Sequence, residues 1–151
     1  MHSDAERPDR NDSPLLRLLR IFMRHSVDDM TAFLREHGLS MPQIGALQLV
    51  RAEGPQTVSA IAEHLNLSLG ATSHLVERLV QKGSVARAED PADRRQKLVS
   101  LRPAGQELIA GIDRRSADSM RALLQHVSEP SRIALYEAVD QALRELEDGR
   151  A

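Results

Sequence analysis

Three charged residues in succession, Asp93, Arg94 and Arg95, sit within a polar stretch, DPADRRQ, between two short β-prone runs. A guanidinium at such a loop tip suits the narrow minor groove of a duplex, where the negative potential is enhanced. Asp93 can orient one of the two arginines through a charge-assisted hydrogen bond. The alternative is a solvated cluster of loop charges. Upstream, Ser68, Gly70, Ser73 and His74 fall on the polar side of a segment whose other side carries Thr72, Leu75, Val76 and Leu79. Small residues let a helix backbone approach a groove closely, and Ser and His side chains can hydrogen-bond to base edges or phosphates. A histidine at position 74 would make that contact weaker than a permanent cation and sensitive to pH. Otherwise these residues are a plain exposed helix face. Arg78 and Lys97 suit phosphates, which set affinity and register but carry no sequence information. Thr57, at a helix start, can add backbone N–H groups directed at a phosphate.

Such residues act together only if a helix and a hairpin hold them side by side. The order of elements predicts this. Thr57 caps a short helix with Val58, Ile61, Ala62 and Leu65 on its inner face, and Asn66 is a turn residue. Ser68 caps the next helix, which stops at Lys82-Gly83. Residues 84–88 and 97–101 then read as two strands around the basic tip. The pattern is helix, tight turn, recognition helix, two-stranded wing: a winged helix-turn-helix.

Charge is distributed to match. The chain has a net charge of −2, an acidic balance that by itself disfavours a nucleic-acid partner. Residues 67–102, however, hold seven basic and four acidic side chains, a local +3 against −5 elsewhere.

The flanks are helical. Ser13-Pro14 opens a helix with Leu15, Leu19, Phe22, Met23, Val27, Met30 and Leu34 at helical spacing, closed by His37-Gly38. Ser40-Met41-Pro42-Gln43 is a capping box that starts a second helix, broken at Glu53-Gly54-Pro55. Pro103 begins a long fifth helix, and Ser128-Glu129-Pro130 starts a sixth with Leu135, Tyr136, Val139, Leu143 and Leu146. The terminal stripes need a partner surface, and a second copy of the chain supplies one. Leu15, Leu19, Phe22, Leu135, Val139, Leu143 and Leu146 are the expected interface. A two-fold dimer would set two recognition helices one DNA turn apart, roughly 34 Å.

The expected architecture is therefore mainly α with a small β-wing. A winged helix-turn-helix at about 40–102 is joined to dimerisation helices at about 13–37 and 103–147. Residues 13–151 form one domain behind a disordered segment, 1–12.

Composition removes several classes. With 151 residues the chain is one domain by default. It has no cysteine, which removes disulfides, thiol nucleophiles and Cys-ligated zinc. Aromatics are 2% of residues, too few for base-stacking capture of single strands. The histidines show no HxxxH or HExxH spacing, so no metal or other cofactor is expected. No Gly-rich phosphate loop or arguable triad is present, so no catalytic residue is assigned and an enzyme is not expected. No apolar run nears the roughly 18 residues of a membrane span, and the N-terminus is polar, so the expectation is a cytoplasmic protein with no membrane partner.

From Ser13 to Leu146 the chain resembles the MarR family of bacterial winged-helix regulators. The resemblance is carried by DPADRRQKLVSLRPAG at 90–105, LSMPQIGALQLV at 39–50 and the spacing to SAIAEHLNLS at 59–68. It departs at Arg102, where the family often has a Thr that caps the fifth helix. The resemblance implies a homodimer on a pseudo-palindromic operator, acting as a repressor and released by a small phenolic or anionic effector. By family position Arg95 is the minor-groove finger and Arg94 its support. Arg24, Ser40, Ile44 and Gln48 could line the effector pocket, with Arg24 facing a carboxylate; alternatively Arg24 is a surface cation or an intersubunit ion pair. Two other readings stay open: a winged-helix module that binds protein, and a metal-responsive regulator.

Overall fold

A computed structural model describes residues 13–91, 93 and 96–149. The expected disordered segment, 1–12, lies outside these residues. The order is α1 (Pro14–His37), α2 (Met41–Glu53), β1 (Gln56–Thr57), α3 (Val58–Leu65), α4 (Leu69–Gln81), β2 (Val85–Glu89), β3 (Lys97–Leu101), α5 (Pro103–Leu124) and α6 (Glu129–Asp148).

Local chemistry sets most boundaries. The main-chain N–H of Ser40 donates to Gln43 Oε1 at 2.9 Å, the returning half of the capping box that starts α2. Thr57 Oγ1 accepts from the Ala60 N–H at 3.1 Å, and Ser68 Oγ from the Ala71 N–H at 3.2 Å. Asn66 ends α3 in the left-handed region, with φ 52°. α4 closes at Gly83 (φ +70°), where the Ser84 N–H reaches back to Leu79 O at 2.9 Å. Arg102, which has no capping oxygen on its side chain, holds the start of α5 with its main chain. Its N–H donates to Ser84 O at 3.0 Å, and its carbonyl accepts from Gln106 at 3.0 Å.

The sheet has three strands in the order β1-β3-β2, all antiparallel. The wing was expected as two strands. The third, β1, is two residues long and pairs Gln56 with Val99 and Thr57 with Leu98. It ties the entry of α3 to the root of the wing.

The fold divides into two compact units. Val27–Arg115 contains the end of α1, α2 to α4, the sheet and the first half of α5. Its core is Ile44 and Leu47 from α2, Ile61 from α3, Val76 and Leu79 from α4, Val85 and Val99 from the sheet and Ile109 from α5, all essentially solvent-free. The other unit comprises the described parts of Met1–Ser26 and Ser116–Ala151. It contains the start of α1, the end of α5 and all of α6, and no residue of α6 is buried.

Candidate nucleic-acid interface

The Ser68 cap leaves the first turn of α4 with a fixed, exposed N-terminus. Thr72 turns inward and donates its hydroxyl to Ser68 O at 2.9 Å, so the cap is braced from both sides. Leu75, Val76 and Leu79 anchor the inner face. Helical spacing puts Gly70, Ser73, His74 and Arg78 on the outer side, and all four are exposed. No atom lies within 4 Å of a Cβ built on Gly70, so that stretch of backbone is open to an approaching surface. The N-terminal end of the helix also carries the positive end of its dipole.

The wing stands beside this face. Strands β2 and β3 pair from Val85↔Leu101 to Glu89↔Lys97. Beyond Glu89 the Asp90 N–H donates to Gln96 O at 3.1 Å, and the Gln96 N–H to Asp93 O at 2.9 Å. The Gln96 amide also reaches Asp93 Oδ2 at 3.2 Å. Asp93, expected to orient an arginine, shapes the turn through these bonds to Gln96. Arg94 and Arg95 lie outside the described residues. Lys97 is exposed where β3 begins. Thr57 is half-buried, its hydroxyl committed to the cap of α3 and its main chain to β1.

Arg87 on β2 makes a contact between wing and helix that sequence reasoning missed. Its guanidinium crosses from the wing to α4, donating to Ser73 O at 3.2 Å and to Glu77 Oε2 at 3.3 Å. The side chain is only 27% exposed, and its Nε is buried without a hydrogen-bond partner. One cation therefore bridges the wing and α4 and pairs with the Glu77 carboxylate on the helix. An arginine among the small residues of VARAE, ten positions after a helical Glu, was the available signal.

The remaining candidates fall in both units. Arg24 belongs to the unit with α6, while Ser40, Ile44 and Gln48 belong to Val27–Arg115. Ser40 and Gln48 are exposed, whereas Ile44 is part of the core. Leu15, Leu19, Val139, Leu143 and Leu146 are exposed, and Phe22 and Leu135 are half-buried. Among the described residues no three His, Asp or Glu side chains converge as metal ligands. No described helix is long and apolar enough to cross a membrane.

A capped helix-turn-helix followed by a hairpin that is latched to the second helix defines the winged helix-turn-helix class. Residues 39–97 match the sequence profile of the MarR family. Over 112 residues the chain is 31% identical to the HTH-type transcriptional regulator YfiV of Bacillus subtilis, covering 74% of this chain and 70% of that one. The chain belongs to the MarR family and is a transcriptional regulator of that type, not an enzyme. Its fold is that of the transcriptional regulator Tm0710 from Thermotoga maritima, with a TM-score of 0.79 over 90% of this chain and 96% of that one at 23% identity. It also matches the S. aureus MepR–DNA complex, with a TM-score of 0.64 over 87% and 97% at 22% identity.

Proposed function

We propose that the protein is a homodimeric, sequence-specific duplex-DNA-binding repressor of the cytoplasm. The observation that carries this reading is the exposed face of α4, which is capped at Ser68 and tied through Arg87 to the wing. Gly70, Ser73 and His74 meet base edges in the major groove, and Arg78, Lys97 and the Thr57 backbone meet phosphates. Arg95, supported by Arg94 and Asp93, enters the minor groove. The local surplus of positive charge supports this partner. The DNA complex formed by MepR, which shares the fold, supports it independently.

Two copies pair through the exposed apolar residues of α1 and α6 and so read a pseudo-palindromic operator. A small aromatic or anionic effector releases the DNA by binding one of two conformations better than the other. Arg24, Ser40, Ile44 and Gln48 are its proposed contacts, each to be tested singly. Incubating the purified protein with sheared genomic DNA and sequencing the retained fragments tests the reading. Enrichment of fragments sharing an inverted repeat is expected. Retention without enrichment, or none at low ionic strength, would overturn it.

A further inference from the structure

Chain continuity between the two compact units runs through α1 and α5, and both helices meet at one corner of the DNA-facing unit. That corner is Lys82-Gly83-Ser84, where α4 ends and β2 begins. Lys82 Nζ donates to the carbonyl of His37, the last residue of α1, at 3.0 Å. A helix cannot satisfy its own final carbonyls, and the negative end of its dipole favours a cation there.

The receiving end is itself anchored. The Leu39 N–H returns to Leu34 O at 2.8 Å, with Gly38 at φ +57°. The His37 ring stacks on Phe33 at 4.1 Å between centroids, and its Nδ1–H donates to Phe33 O at 3.0 Å. Phe33 is buried, with the Arg115 guanidinium of α5 5.2 Å from the ring centroid. A Cβ on Gly111 of α5 would lie 3.2 Å from the Phe33 ring. On the other side of the corner, Ser84 O accepts the Arg102 N–H at 3.0 Å. A Cβ on Gly105 would lie 2.2 Å from that same oxygen, so only glycine lets the first turn of α5 press against the corner. The contacts close a circuit from α4 to α1, from α1 to α5, and from α5 back to the end of α4.

We propose that Lys82 is a positioning residue for duplex recognition: its bond to the His37 carbonyl fixes the end of α4 against α1, and so sets the angle at which α4 presents its outer face to the groove. This role rests on the duplex-binding reading above. It differs from a direct phosphate contact, the ordinary use of a lysine in a DNA-binding surface. A positioning bond matters only where side chains must meet base edges in register. A phosphate contact matters on any sequence.

The test uses full-length Lys82→Met, which keeps the stem and removes the ammonium, with Lys82→Arg as the conservative rescue. In the DNA-free protein, hydrogen exchange of the amides at 37–39 and 82–84 is expected to accelerate in Lys82→Met and to return towards wild type in Lys82→Arg. Unchanged exchange would remove the latch. Fluorescence anisotropy then compares a duplex enriched from genomic DNA by the wild type with a scrambled duplex of the same length. Lys82→Met is expected to lose about three- to tenfold on the enriched duplex, the range for a partly screened charged hydrogen bond. Affinity for the scrambled duplex and the slope of log K against log salt should stay unchanged. Equal loss on both duplexes, with a slope shallower by about 0.9, makes Lys82 a phosphate contact and overturns the proposal. If the wild type enriches no duplex, the DNA reading falls and takes the role of Lys82 in recognition with it, while the exchange arm still decides whether the latch exists.

Discussion

Leu47 and Leu143 are the same side chain in opposite situations: Leu47 in α2 is 0% exposed, whereas Leu143 on α6 is 52% exposed. The contrast extends to the two units around them. Every residue of the buried hydrophobic cluster falls within Val27–Arg115, where three short helices, a sheet and the start of α5 cover one another's apolar faces. In the other unit Leu15, Leu19, Ile133, Tyr136, Val139, Leu143 and Leu146 face solvent. Scattered exposed leucines need no explanation, but apolar residues repeating along a helix face mark a surface that is covered by something else. The DNA-facing unit has a self-sufficient core, whereas the terminal helices leave their apolar residues exposed, the surface that the proposed second copy would cover.

The contrast can be broken from either side. Leu143→Asp should have the largest effect, because the proposed two-fold dimer would bury the unpaired charge twice, at a cost of at least several kcal/mol. Light scattering should then report a monomer with helical circular dichroism retained; a normal dimer would place the interface elsewhere. Leu47→Ala should destabilise the DNA-facing unit by about 2–5 kcal/mol, the cost of a core cavity, as read by chemical denaturation. A change below about 0.5 kcal/mol would mean the site is not close-packed. Arg95→Ala should weaken binding to the enriched duplex by about 1–3 kcal/mol in an anisotropy titration. Ser68→Ala removes the cap of α4 and should cost about 1 kcal/mol of stability in a denaturant melt.

Much of this arrangement was legible in the sequence because short-range chemistry decided it. Ser13-Pro14 and His37-Gly38 bracket α1, and the Ser40/Gln43 box opens α2. Thr57 and Ser68 mark the starts of α3 and α4 by the hydrogen bonds that they accept. What escaped depended on distant partners. Gln56 and Thr57 have no alternation to reveal a strand, and they become one only by pairing with Val99 and Leu98 some forty positions on. Arg87 reads as one more positive charge until the fold sets Ser73 and Glu77 against it. Lys82 reads as a helix stop, and its bond to a carbonyl 45 residues earlier follows from tertiary packing alone. Gly105 resembles any helix-start glycine, although the Ser84 carbonyl excludes every other residue there. The residues expected to point outward from α4 are exposed, because a capped amphipathic helix fixes which side chains face away from the core.

The salt dependence of binding to the enriched duplex tests the central claim most directly. Each phosphate contact should contribute about −0.9 to the slope of log K against log salt. With Arg78, Lys97 and the wing from each of two copies engaged, affinity is expected to fall steeply with salt, with a slope well beyond that of a single contact. A flat dependence, or no binding to duplex at low ionic strength, would contradict a DNA-gripping role for α4 and the wing.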